Sequence, residues 1–270
     1  MASFSLPRVV GAIEEIAPPS YASSWDNVGL LIEPPSEASV ARIILCIDLT
    51  EGVLDEAKAQ RADLIVAYHP PIFGGLKRLT QSVALHRSLM RAIAEGIAIY
   101  SPHTALDAAE GGVCDWLAQG LGAWEQTTPL EPNAENGAVG VGRLVSLASP
   151  TSLVEIAASV KAHLGLQHLR VARHERHQGQ GATIRTVALC PGAGGGLFEG
   201  VQSADLFLTG EMSHHDILAR VAQGASVILT DHSHSERGYL PVFRERLASL
   251  LGDGVDISVS VADIEPLEVL

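Results

Sequence analysis

Short apolar runs alternate with helix-period segments along the chain. Ile43 to Asp48 (IILCID) reads as a buried strand, followed by a helix from about Gly52 to Arg61. Leu64 to Tyr68 (LIVAY) is the next strand. A helix from about Val83 to Glu95 follows and ends at Gly96, the residue type that accepts a left-handed cap. Ile97 to Tyr100 is a third strand, and about Gly111 to Gly120 a further helix. Uninterrupted apolar strands between helices predict an α/β protein with sheets covered on both faces.

Glu125 to Gly137 (EQTTPLEPNAENG) is polar and turn-rich, which predicts a link between an N-terminal lobe, residues 1–124, and a C-terminal lobe, residues 138–270, in one compact unit. Val139 to Leu147 then reads as a strand. Ser152 with Glu155 forms a capping-box pattern for a helix to about Leu164, and Arg173 to Gly181 reads as an exposed loop. The second half then echoes the first. Ile184 to Cys190 resembles IILCID; ADLFLTGEMSHH from Ala204 resembles ADLIVAYHPPIF from Ala62; GASVILTDHSHSE from Gly224 resembles GIAIYSPHTALD from Gly96. A duplication of this kind predicts two similar α/β lobes related by a pseudo-twofold, with His-bearing strand ends sharing a cleft.

Composition narrows the setting. The chain has 270 residues, 47% of them hydrophobic and 18% charged, which predicts a packed core. A net charge of −13 without a Lys/Arg cluster argues against a nucleic-acid backbone as partner. No apolar run reaches membrane-spanning length, and the first ten residues lack a secretory pattern. Cys46, Cys114 and Cys190 are widely spaced, Cys46 and Cys190 in apolar runs, so buried free thiols and a reducing, cytoplasmic compartment are expected.

The chemistry gathers after the strands. His103 and Asp107 stand four apart, as do His232 and Glu236, and each pair follows a predicted strand. A helical turn there sets each pair on one face, about 5–6 Å apart, a spacing that suits an imidazole and a carboxylate on one divalent ion. His69 ends another strand, and Pro70 and Pro71 stiffen its turn. Three imidazoles and two carboxylates suit two ions, with Asp107 or Glu236 as the bridge or base and metal-bound water as the reactive group. Zn is the first expectation for the metal and Fe the second; Mn, Co and Ni also suit these donors.

Ordered motifs extend this reading. W-D-N-V-G-L at Trp25, Y-H-P-P-I-F at Tyr68, K-R-L-T at Lys77, S-P-H-T-A-L-D-A at Ser101, T-G-E-M-S-H-H-D at Thr209 and H-S-H-S-E-R-G at His232 follow one another along nearly the whole chain. The chain thereby resembles the Ngg-interacting-factor-three-like family, also labelled GTP cyclohydrolase 1 type 2-like. That resemblance implies two divalent ions per subunit on His69, His103, Asp107, His232 and Glu236, and a toroidal homohexamer. Many bacterial relatives carry two consecutive His where this chain has Tyr68-His69; the Tyr form resembles the branch with eukaryotic members and makes Tyr68 a further candidate ligand.

Other residues carry a bland reading beside a functional one. Pro191 to Gly200 (PGAGGGLFEG) is a tight turn or an anion cradle. His214 and His215 suit a helix start, and Glu211 is a candidate to orient a ligand His. His234 points away from the ligands on a helix. Arg237 suits an ion pair or a substrate phosphate, Asp26 and Asn27 suit a turn or the site rim, and Lys77 and Arg78 form a small basic spot. The expectation is a metal-dependent hydrolase of a small nucleotide-like or phosphorylated molecule, with a non-catalytic metal-binding scaffold as the alternative.

Overall fold

The computed structural model describes residues 3–35, 38–179 and 181–269. The chain forms two compact units: residues 1–106 with 239–270, and residues 107–238. This division departs from the expected lobes 1–124 and 138–270. Leu240–Leu251 is a helix of the first unit, and Asp256–Val259 pairs with Arg42–Cys46 in that unit's sheet. The expected link also differs. Trp124–Thr128 is a strand that pairs antiparallel with Arg143–Thr151, because its β-prone Trp and Thr residues find an edge to extend.

Among the described residues, the first unit holds a five-stranded sheet in the order Asp256–Val259, Arg42–Cys46, Leu64–Ala67, Ala98–Ser101, Gly29–Ile32. The first four strands run parallel and the last is antiparallel. Ile44, Cys46, Ile65, Ala67 and Ile99 point to one face and pack with Val53, Leu54, Ala57, Leu89 and Ala92 of the helices Glu51–Gln60 and Ala84–Glu95. Their neighbours Ile43, Leu45, Leu64 and Val66 are buried as well, so these strands read as unbroken apolar runs. Gly96 closes the second helix at φ 70, as its position at the helix end required.

The second unit holds a six-stranded mixed sheet, again among the described residues. Its order is Arg170–Ala172, Ser226–Leu229, Leu206–Glu211, Ile184–Ala193, Arg143–Thr151, Trp124–Thr128, with the second, third and fourth strands parallel. Ser152 and Glu155 form the complete capping box of the helix Leu153–Leu164. The expected exposed loop at 173–181, described apart from residue 180, has one buried member. The His177 ring lies 2.8 Å from the Ser226 hydroxyl and accepts from Arg176, so partners inside the fold replace water.

The sequence echo has a backbone counterpart. Asp63 and Asp205, each the acid of an Ala-Asp-Leu triplet, accept from two successive backbone N–H groups at the start of the neighbouring strand: Ala41 and Arg42 for one, Arg185 and Thr186 for the other. Their carbonyls accept in turn from Ala98 and Ser226, the first residues of the next strands. These contacts fix the register. Cys46 corresponds to Cys190, His69 to Glu211, and His103 to Asp231; past Cys190 a bulge shifts the pairing, so Gly192 and Ala193 together occupy the stretch where the first unit has Asp48.

Candidate metal centre

In the first unit, the candidate donors stand where parallel strands end. Leu64–Ala67 runs into Tyr68 and His69, whose backbone N–H groups still donate to Cys46 and Ile47. His69 Nδ1 lies 2.9 Å from Asp48 Oδ1, a carboxylate just beyond the adjacent strand. Ala98–Ser101 runs into the helix His103–Ala108, and His103 begins it at φ 23, a conformation that costs an L-residue energy. His103 Nδ1 lies 2.8 Å from Asp26 Oδ1. The His69 and His103 rings are 5.4 Å apart between centroids, and Tyr68 lies 5.0 Å from the first and 5.5 Å from the second. Tyr68 is buried, and its carbonyl accepts from Ser101.

Asp26 is the anchor of this group. Its side chain is fully buried and accepts from His103, from the Asn27 N–H, and from both the N–H and the hydroxyl of Thr104. Burial alone would raise its pKa. The hydrogen bonds from His103 and Thr104, with the field of His103, outweigh that and hold the carboxyl below its ordinary range. The Asn27 amide reaches on to the Ile72 carbonyl. The D-N pair at 26–27 is therefore part of the site's frame, beyond the turn that its residue types suggested.

The second unit carries the other donors. His232 Nδ1 lies 2.8 Å from Glu211 Oε1, and His232 Nε2 lies 3.6 Å from Glu236 Oε1. Here the four-residue spacing is spanned by a tight 3₁₀ turn, Ser233–Ser235, rather than an α-helix. Asp231 enters it at φ 67. Ser235 pins the turn by donating to the His232 carbonyl and accepting from the Gly192 N–H. Glu236 is buried, as is Asp107 on its own helix, a turn beyond His103. Burial first, then the neighbouring Cys114 and the charges of Asp107 and Glu236, pushes the Cys190 thiol well up. His232 and Glu236 belong to a His/Glu group whose ligand atoms approach closely enough to hold a metal ion.

Gly192 explains how that space stays open. It sits at φ 59, and a Cβ there would come within 2.6 Å of Glu236 Oε1 and 3.0 Å of His232 Nε2. Gly210 is equally constrained: a Cβ would meet the Gly192 carbonyl at 2.6 Å and His232 Cα at 2.9 Å. The residues fit a metal. With each Nδ1 directed at a carboxylate, the Nε2 atoms are the ring nitrogens that a metal would take.

The remaining expectations find these places. His234 donates through Nδ1 to the Thr230 carbonyl. Arg237 donates to the Ser233 hydroxyl. His214 and His215 open the helix His214–Ala222, which Ser213 caps. Pro191 to Gly200 turns from the strand Ile184–Ala193 into the short helix Gly195–Phe198, with Gly194 N–H donating to Thr209. Lys77 and Arg78 lie in an exposed stretch. All three cysteines are free and buried. Asp48 was not singled out from the sequence, and Gly192 only as one glycine of the Pro191 to Gly200 stretch. The signal for Asp48 was its place at the end of IILCID, beside the strand that ends in His69.

Among the described residues, no helix is long and apolar enough to cross a membrane. The sequence matches the family described as Duf34/NIF3 (NGG1p interacting factor 3) over residues 4–267. It is 45% identical to the "Protein NIF3 homolog" of Schizosaccharomyces pombe, over 94% of each chain. It is 37% identical to "NGG1-interacting factor 3" of Saccharomyces cerevisiae, over 98% of this chain and 96% of that one. A Bacillus cereus protein related to NIF3 shares the fold, with a TM-score of 0.84 at 20% identity over 99% of each chain. The chain thus belongs to the NIF3 (NGG1p interacting factor 3) family, whose members include these eukaryotic proteins.

Proposed function

We propose that His69, His103, Asp107, His232 and Glu236 hold a pair of divalent ions, Zn first and Fe second, and that the protein hydrolyses a small nucleotide-like or phosphorylated substrate. The observation that supports this reading most is the repeated pairing of a His Nδ1 with a carboxylate: Asp48 with His69, Asp26 with His103, Glu211 with His232. Such pairs fix the tautomer and aim of a ligand imidazole and raise its basicity. Connectivity adds support. The chain passes between its units at 106/107 and at 238/239, the first crossing within the His103–Asp107 motif and the second two residues after Glu236.

Divalent ions so held would supply Lewis acidity, polarising a carbonyl or phosphoryl oxygen and acidifying water. The chain's own residues do the rest. Asp26, Asp48 and Glu211 keep the imidazoles aimed. Glu236 and Asp107 would be the carboxylates to hold the ions or to accept a proton, and Tyr68 borders the His69 and His103 rings. We also propose a cytoplasmic location, in keeping with three free buried thiols, and a toroidal homohexamer.

Elemental analysis of the purified protein, followed by a panel of nucleotides and phosphoesters with and without Zn²⁺ or Mn²⁺, tests the reading. Two metals per chain and metal-dependent turnover abolished in Asp107→Ala are expected. Metal without turnover on any panel member favours a second reading, a non-catalytic metal-binding scaffold or regulatory partner. The name of the Saccharomyces relative, an interacting factor, is the observation that favours it. A protein that neither carries nor takes up metal overturns both.

A further inference from the structure

Two large aromatic side chains of the first unit stand in solvent beside the candidate donors. Trp25 is 62% exposed and Phe73 56%, far outside the range of the unit's buried apolar residues. Their ring centroids are 6.0 Å apart and their planes inclined by 52°. Trp25 also lies edge-on to His103, at 6.1 Å. Neither ring's position is incidental. Trp25 directly precedes Asp26, the carboxylate that holds His103, and the Asn27 amide holds the carbonyl of Ile72, the residue before Phe73. The Asp26-Asn27 dipeptide therefore holds a ligand-type histidine and the backbone next to Phe73, and it follows directly on Trp25.

We infer that Trp25 and Phe73 form a stacking platform for a planar heteroaromatic ring of the substrate, presented at the His103 edge of the metal centre. Exposed indole and phenyl faces gain by covering a flat ring, and the gain is tolerant of the ring's identity because every such ring has a π-face. Because the two planes are inclined by 52°, a flat ring lies against the indole face and meets the phenyl ring at its edge, whereas a sugar, which has no π-face, gains neither contact. The adjacency to His103 is what favours a small ring over a macromolecule: a ring lying on the platform has its edge beside the imidazole. The inference rests on the metal reading only for what happens at that edge; the stacking itself stands on the two rings.

The test is equilibrium dialysis of the full chain, as purified, with adenosine and with ribose as the ring-free control. Light scattering and elemental analysis run on the same samples. Adenosine binding without ribose binding is expected. Trp25→Leu should weaken adenosine about tenfold and Phe73→Leu by a smaller factor, while Trp25→Phe retains most of the affinity. Equal binding of adenosine and ribose, no adenosine binding, or affinities unmoved by Trp25→Leu overturn the platform. So does a Trp25→Leu protein that loses assembly mass without a change in ring binding, since a second copy then covers the patch. Trp25-dependent adenosine binding by a chain with no metal upholds the platform and sinks the metal centre. Metal without ring discrimination does the reverse.

Discussion

The two units repeat one scaffold and equip it differently. Each runs through three parallel strands, with an Asp accepting from backbone N–H groups at one end and the candidate donors at the other. In the first unit, the carboxylate that orients an imidazole is Asp48, beyond the first strand, and the imidazole is His69, beyond the second. In the second unit, a bulge leaves Gly192 and Ala193 in the stretch where the first has Asp48, and the residue in the place of His69 is Glu211. The acid has moved one strand along, and it holds His232 beyond the third strand. The backbone is bent alike where the third strand ends: His103 and Asp231 both have positive φ. The scaffold thus dictates where a donor can stand, not which donor stands there.

The largest expected effect comes from adding a side chain in the bulged stretch of the second unit. Gly192→Ala sets a Cβ against Glu236 and His232 and forces an L-residue into φ 59. Destabilisation by about 2–4 kcal/mol is expected from the clash and the strain together, measured by urea unfolding. Bound metal should fall with it. The mirror change, Asp48→Gly, creates no clash and should leave folding nearly intact while loosening His69. An unchanged metal content in Gly192→Ala would break the assignment of His232 and Glu236.

Next come the orienting carboxylates. Replacing such an acid lowers metal affinity by about 10- to 100-fold. Burial ranks the three. Asp26 is fully buried with several donors directed at it, whereas Asp48 and Glu211 are about half exposed. Asp26→Asn should therefore approach the upper end, and Asp48→Asn and Glu211→Gln the lower. Competition with a chelator of known affinity measures all three. Equal losses would mean that water replaces each acid equally well.

Much of this was readable from local pattern. The apolar strands, the Gly96 cap and the Ser152–Glu155 capping box depend on near neighbours in sequence, and they stand where the residues placed them. The pairs His103–Asp107 and His232–Glu236 were visible through spacing. Asp48, Gly192 and the division into units were not. Asp48 meets His69 only because two parallel strands end together, and Gly192 matters to the donors through His232 and Glu236, forty and forty-four residues away. The return of Leu240–Leu251 and Asp256–Val259 to the first unit is likewise a long-range pairing, which no local signal encodes. Polarity at 125–137 suggested a link, yet an edge strand with one solvent face is polar too.

The smallest effect tests the shared half of the comparison, away from the donors. Asp63 and Asp205 do the same backbone work, so Asp63→Asn and Asp205→Asn should each cost about 1–2 kcal/mol, through loss of charge-assisted bonds to two N–H groups. Asp205 has an added acid dependence. Burial opposes its charge, but the N–H groups of Arg185 and Thr186, the Thr186 hydroxyl and Arg176 outweigh that and hold its carboxyl below the ordinary range. A carboxyl whose folded pKa lies below its unfolded value, about 3.9, stabilises the fold above that pH, and the benefit fades as pH falls through the folded value. The stability gap between the wild-type chain and Asp205→Asn should therefore be full near neutrality and close progressively below about pH 4. A gap that persists unchanged in acid would mean that Asp205 acts through shape alone, and the likeness of the two units would reach no further than their backbones.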